Sequence, residues 1–206
     1  MQVNERFGVV ASQDRIDRTV GALRQNGINA MVVENGAEAR QKFLAMLPEG
    51  AEVMNMTSMT LEAIGVAQEI LESGRYQAVR KRLLSMDKHT QASEMHKLGA
   101  GPDWAVGSVH AVTEAGEVLV ASATGSQLPA YAYGAQHVIW VVGAQKLVKD
   151  FAEGMQRLHE YSLPYEDERS RKAYGVGSGV NKVLVINQEG TRERISMIIV
   201  KEKLGY

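Results

Sequence analysis

Hydroxyl-bearing and small residues able to contact a ligand gather in three short segments. They are Thr57-Ser58-Met59-Thr60, Ala123-Thr124-Gly125-Ser126-Gln127 and Val142-Gly143-Ala144-Gln145-Lys146. Each follows a stretch that reads as a strand. In an open α/β sheet, ligands bind beyond the carboxyl ends of the strands, so the three segments are expected to converge on one site. Hydroxyls and free backbone N–H groups at a helix start suit a phosphate or carboxylate. Gly125 lets a ligand approach the backbone. Leu128-Pro129 follows as a helix opening, where proline lacks no needed donor. The structural alternative is that Thr60 and Ser126 only cap their helices. The candidate ligand contacts are therefore Thr57, Ser58, Thr60, Thr124, Gly125, Ser126, Gln127 and Gly143. Lys146, Asn181 and Lys182 are candidates to meet an anion's charge.

His110 lies in a strand beside the Gly125 segment and is the candidate catalytic base; sheet packing is its structural alternative. The other histidines are His89, His96, His137 and His159. His89 and His96 share a helical face two turns apart, too far to hold one metal without a ligand between them. Neither H-x-x-x-H nor H-E-x-x-H occurs, so no metal site is expected. Gly175-Val176-Gly177-Ser178-Gly179 suggests a phosphate loop but matches neither the dinucleotide nor the P-loop pattern, nor the nucleophile elbow. Glu166-Asp167-Glu168 with Arg169, Arg171 and Lys172 reads as a solvated charge run. Its functional alternatives are an active-site flap or a docking surface.

These residues need a frame. Ser12 is a candidate N-cap, and Ile16, Val20 and Leu23 share one helical face. Asn26-Gly27 closes that helix, and Ile28 to Glu34 reads as a buried strand. A second helix carries Ala39, Phe43, Leu44 and Leu47. Ala51 to Met56 reads as a strand, and Thr60 as the N-cap of a helix to about Ser73. Residues 74–101 read as a charged helical excursion over the sheet. Ala105 to Thr113 and Glu117 to Ala123 read as two strands of a hairpin around Glu114-Ala115-Gly116. His137 to Val142 reads as a central strand, followed by a helix from Leu147 to Tyr161. Ser162 to Gly179 reads as irregular. Lys182 to Asn187 and Ile195 to Val200 read as strands around a Gln188-Glu189-Gly190 turn. Alternating strands and helices argue for an α/β fold, and the hairpin argues for a mixed sheet. Residues 1–11 read as an arm and 12–206 as a single domain.

Composition narrows the classes. The chain has 206 residues, 45% of them hydrophobic and 23% charged, and a formal net charge of −1. That is ordinary for one globular domain. No basic stripe interleaved with aromatics points to nucleic acid. No apolar run reaches the roughly 18 residues that would cross a membrane. The first residues lack the pattern of a signal peptide, so the cytoplasm is the expected compartment. There is no cysteine, which removes disulfides, a thiol nucleophile and cysteine-ligated zinc or iron–sulfur centres from this chain.

Several separated motifs resemble one family in its order. They are SVHAVTEAGEVLVASATGSQLPAYAYGAQHVIWVVGAQKLV, SLPYEDERSRKAYG, NKVLVIN and the closing IIVKEKLGY, with MTSMTLEAIG upstream. From about Ser12 to Tyr206 the chain resembles the LUD (lactate-utilization) domain, which also occurs in lactate-utilization protein C. The resemblance implies a Rossmann-like mixed sheet flanked by helices, similar to the ribose-phosphate isomerase and CoA-transferase-like fold. It also implies a link to oxidising L-lactate to pyruvate beside iron–sulfur subunits. Sugar-phosphate isomerases of that wider group carry a Gly-Ala-Asp strand and an Asn-Lys-Ile-Gly-Thr loop. Gly125-Ser126 resembles the end of that loop, but His110 stands in place of the aspartate and Ser122-Ala123 in place of Asn-Lys. A proton shuttle needs a positioned base and its partner, so simple isomerisation is disfavoured. Glu114 and Glu117 sit at the hairpin turn, away from the place of a CoA-transferase nucleophile.

The leading expectation is thus a protein of organic-acid metabolism that binds a small anionic metabolite and acts with redox partner subunits. No cofactor is evident in the chain, and any iron–sulfur cluster would sit on a partner. A stand-alone isomerase or acyl/CoA-transferase-like enzyme is one alternative. A non-catalytic assembly or regulatory subunit is another. A homo-oligomer fits any of them; neither nucleic acid nor membrane is an expected partner.

Overall fold

Burial alternates along the strands in a way that assigns each face to a core. In β7 (His137–Gly143), Val138, Trp140 and Val142 enter one cluster while Ile139 and Val141 enter another. In β6 (Val118–Ser122), Val118 and Val120 share the first cluster, and Leu119 and Ala121 enter a third. Successive side chains on a strand point to opposite faces, so both strands are buried on both sides. Their near-continuous apolar runs follow from that double burial. The computed structural model describes residues 2–206.

Two sheets result. The first is wholly parallel. It contains β1 (Asn29–Val33), β2 (Glu52–Asn55), β3 (Gln77–Ala78), β4 (Trp104–Gly107), β7 and β10 (Ile195–Val200), in the order β1-β10-β7-β4-β2-β3. The second contains β5 (Ala111–Thr113), β6, β8 (Leu147–Val148) and β9 (Lys182–Ile186), in the order β8-β5-β6-β9, with both parallel and antiparallel pairs. This is the Rossmann-like α/β fold flanked by helices. The antiparallel pairs all lie in the second sheet, stacked on the first.

Helices cover the outer faces. α1 (Gln13–Gln25) is capped by Ser12 and sends Ile16, Val20 and Leu23 into the core between the sheets. α2 (Gly36–Met46), α3 (Met59–Ala63) and α4 (Val66–Glu72) bury Phe43, Leu61 and Ile70 on the far side of the parallel sheet. The charged segment after Gly74 forms β3 and two short helices, α5 (Val79–Ser85) and α6 (Ala92–Ala100). α7 (Phe151–Arg157) and α8 (Leu163–Tyr174) are joined by a π turn, Leu158–Ser162, over the second sheet.

Four local expectations are corrected. Ala105 to Thr113 is not one strand: β4 ends at Gly107, Ser108–His110 crosses between the sheets, and β5 begins at Ala111. Apolar runs on either side of the crossing hide the break from a pattern reading. The helix after β2 is capped by Ser58, not Thr60, and breaks around Gly65 into α3 and α4. The segment from Ser162 is mostly helical, because Pro164 sits in the first turn of α8, where its missing N–H is tolerated. The strands Lys182–Ile186 and Ile195–Val200 do not pair; they belong to different sheets.

Pro164 leaves the Glu160 carbonyl without its usual donor, and the Asn4 amide takes it at 2.9 Å. This bond and the burial of Phe7, in the 3-10 turn Glu5–Gly8, lay residues 2–11 along the domain. On the opposite side, Arg194 is buried. It donates to the carbonyls of Ala135 (2.9 Å), Ala130 (3.1 Å) and Tyr131 (3.0 Å) and pairs with Glu189 at 2.7 Å. Arg194→Met leaves those carbonyls and that carboxylate unmet. It should cost roughly 3 kcal/mol of stability, read from urea unfolding midpoints.

Candidate functional site

A cavity of about 530 Å³ opens beyond β2, β4 and β7, against the loop after β6. That is the expected end of the parallel sheet. Its wall includes Met56 to Thr60, Ser108 to His110, Ala121 to Thr124, Ser126, Gln127 and Lys146. α8 and the segment after it close the outer side with Glu166, Arg169, Tyr174 and residues 176–180.

Lys146 lies deepest among the charged wall residues, only 2% exposed. It follows β7, whose central place in the sheet directs the chain into the core. Its Nζ donates to Thr60 Oγ1 at 3.1 Å and Ser108 Oγ at 3.0 Å. Thr60 reaches it because Ser58, by capping α3, turns the first helical residues over the β2 end. Ser108 reaches it because it stands at the crossing between the sheets. Burial, reinforced by the charge of Arg157, holds the Lys146 amine well below its ordinary range.

Arg157 is buried behind this wall. Its Nη1 donates to the Ser162 hydroxyl at 3.0 Å and to the His110 carbonyl, and its Nε to the Gln145 carbonyl at 3.4 Å. Its Nη2 has no hydrogen-bond partner among the described residues. Burial lowers its pKa to about 10, so it remains a cation at neutral pH.

His110 is placed by the crossing. Its Nδ1 accepts the Ala121 amide at 3.1 Å. In the neutral imidazole this network assigns the proton to Nε2, which then acts as a donor. Burial first, then the charges of Lys146 and Arg157, lower its pKa to about 3.

Thr124, Ser126 and Gln127 line the cavity while Gly125 between them is off the wall against the Lys182 side chain, and the segment uses much of its polarity internally. The Gly125 amide donates to Ser122 Oγ at 2.8 Å, and the Ser126 amide to Thr124 Oγ1 at 3.3 Å. Gln127 bonds Ser122 Oγ at 2.8 Å and the Ala121 carbonyl at 3.2 Å. Asn181 and Lys182 donate to the carbonyls of Ala123 and Thr124, so they brace this loop from behind and are not on the cavity wall. Thr57 takes a bond from Arg80 at 2.9 Å at the rim. Gly143 is also off the wall, because residues 202–204 pack directly against it.

Sequence reasoning missed Ser108, Arg157, Ser162 and the outer group. The available signal for Ser108 was a Gly-Ser pair closing the apolar run Trp104-Ala105-Val106. The charge run is divided by its helical pitch. Asp167–Arg171 and Glu168–Lys172 are exposed i,i+4 pairs, whereas Glu166 and Arg169 face the cavity. Glu166 takes bonds from Arg169 at 2.7 and 2.8 Å and from the Tyr206 hydroxyl at 2.7 Å. Burial alone would raise its pKa, but these donors outweigh it and hold the carboxylate below its usual range. Residues 204 and 205 are fastened by Gln145 and Thr60. Gly205, with φ 61°, lies so close to α3 that a Cβ would meet the Thr60 amide nitrogen at 2.9 Å.

Among the described residues, no group of three or more His, Cys, Asp or Glu side chains could hold a metal ion. No helix there is long and apolar enough to cross a membrane.

The fold is an α/β domain with a cavity at the carboxyl edge of its parallel sheet. The chain matches the LUD domain over residues 16–200 and belongs to that family. Among solved structures it is similar to a DUF162 family protein from Deinococcus radiodurans. The TM-score is 0.57 at 11% identity, covering 93% of this chain and 99% of that one, a likeness of fold. No curated protein matches the sequence.

The His110 environment predicts a pH dependence. The unfolded imidazole takes a proton near its ordinary value of 6.5, whereas the folded one resists until about 3. Stability from this group is therefore complete above 6.5 and is lost as pH falls toward 3. Over that window the folding constant should drop by up to about tenfold per pH unit. His110→Gln should remove this component when urea midpoints are compared across pH.

Proposed function

We propose that this LUD protein is cytoplasmic, binds a small carboxylic acid of the lactate or pyruvate type in the Lys146 cavity, and acts with redox partners in organic-acid oxidation. One observation carries the reading. Lys146 is buried in the cavity wall and the Arg157 guanidinium is buried behind it, and among the described residues both have only hydroxyl and carbonyl oxygens as hydrogen-bond partners. Buried charge is ordinarily paired, so a ligand carboxylate is the group that would complete this site. The Glu166 carboxylate is already engaged by Arg169 and Tyr206.

In this reading Thr57, Ser58, Thr60, Thr124, Ser126 and Gln127 supply a polar wall for the ligand's hydroxyl or carbonyl. His110 contributes its Nε2–H as a donor, since Nδ1 is occupied. An electron acceptor is required to oxidise a hydroxy acid. With no cysteine in the chain, a cysteine-ligated iron–sulfur centre would reside on a partner.

Titration calorimetry with L-lactate, pyruvate and acetate tests the binding. Heat of binding is expected for the first two. Lys146→Met should weaken affinity by about twofold to tenfold, the value of a lost neutral hydrogen bond. The same variant should melt higher without ligand, because a buried basic group is replaced by an apolar one. Absence of binding by all three acids would refute the reading. Co-purification of an iron–sulfur protein with the full chain tests the partnership.

A further inference from the structure

We propose that Lys146 is a nucleophile that condenses with the carbonyl of a small α-keto acid in this cavity, forming an imine and releasing water. This rests on the carboxylate-binding reading above and adds the chemical class and the covalent step.

The hydroxyl wiring around Nζ supports it. Thr60 Oγ1 lies 3.1 Å from the Leu204 carbonyl, which can only accept, so the threonine hydrogen is directed there. Ser108 Oγ lies 3.4 Å from the Val109 carbonyl, which orients its hydrogen likewise. Both oxygens then present lone pairs to Lys146 at 3.1 and 3.0 Å. A neutral amine has two N–H donors and one lone pair, whereas an ammonium has three donors. Two acceptors match the amine and leave its lone pair free, and Lys146 is part of the cavity wall. Among the described residues, no carboxylate bonds Nζ to favour the ammonium.

The electrostatics act in the same direction. Desolvation, helped by a neighbouring cation, is an established way to make a lysine nucleophilic at neutral pH. Burial and the Arg157 charge impose both on Lys146. The cation that disfavours the ammonium also favours the keto acid's carboxylate. His110 Nε2–H is available to the substrate's oxygen atoms.

The step is balanced within the site. Nζ attacks the carbonyl carbon, a C–N bond forms, and the carbonyl π electrons move to oxygen. A proton passes from nitrogen to that oxygen, with Ser108 or Thr60 as relay. The C–O bond then breaks as the second N–H proton leaves with the oxygen as water, giving a C=N bond. No oxidant or reductant is consumed.

Reductive trapping tests it. The full chain is incubated near neutral pH with pyruvate and cyanoborohydride, then mapped by peptide mass spectrometry. A carboxyethyl group is expected on Lys146, enriched at least roughly tenfold over the exposed Lys42 and Lys88. L-lactate, which has no carbonyl, should leave Lys146 unmodified. Lys146→Arg, checked for folding by circular dichroism, should lose the site-specific label. Absence of enrichment at Lys146 in the wild type would overturn the proposal. Calorimetry on the same samples separates the failures. Pyruvate binding without the adduct refutes only the imine; no binding by pyruvate or lactate refutes the carboxylate reading as well.

Discussion

A buried guanidinium ties together the segments that make the site. Arg157 reaches the His110 carbonyl in the crossing between the sheets, the Gln145 carbonyl after β7, and the Ser162 hydroxyl in the π turn. These positions are far apart in sequence and belong to different layers. A neutral side chain could not satisfy acceptors on three sides with one rigid group. The geometry of His110 and Lys146 follows from that clamp. Burial is the main reason both resist protonation, and the Arg157 charge adds to it.

The clamp places a buried positive charge behind the cavity wall although the chain as a whole is nearly neutral. A buried arginine without a carboxylate is costly in isolation. Backbone carbonyls and hydroxyls offset part of that cost, and one guanidinium nitrogen has no hydrogen-bond partner among the described residues. The floor is thus polarised toward an incoming anion. Such local frustration is usual at functional sites, where the surrounding fold over-determines a strained arrangement. Here the fold supplies that support through strands buried on both faces.

The outer half of the site is different in character. Glu166, Arg169 and Tyr206 satisfy one another, and residues 204 and 205 are fastened by Gln145 and Thr60. This half acts as a braced wall, whereas the floor retains unmet potential. The π turn contributes to the division. It lets a proline enter the helix and turns Arg157 and Ser162 inward, with Glu166 one turn further along. The carbonyl freed by Pro164 then anchors the first residues of the chain through Asn4.

Much of the frame was legible in the residues. Ser12, Asn26-Gly27 and the apolar periodicity of Ile16, Val20 and Leu23 determined α1, because capping and helical pitch are local properties. The unbroken run Val138 to Val142 determined a central strand, since only a strand covered on both faces tolerates it. Hydroxyl-bearing residues read at the strand ends lie on the cavity wall, and Lys146 with them. The division into two sheets was not legible. Ala105 to Thr113 alternates and buries like one strand, and pairing partners lie far away in sequence. Nor could the residues alone show that Gly125 and Ser126 would bond within their own loop, or that residues 202–204 would cover Gly143. The sequence by itself determined most of the elements, the absence of thiol chemistry and the list of polar groups near the sheet's carboxyl edge. Only the tertiary structure decided which of them are buried together, because burial turns Lys146 from an ordinary surface cation into a desolvated amine facing a cavity.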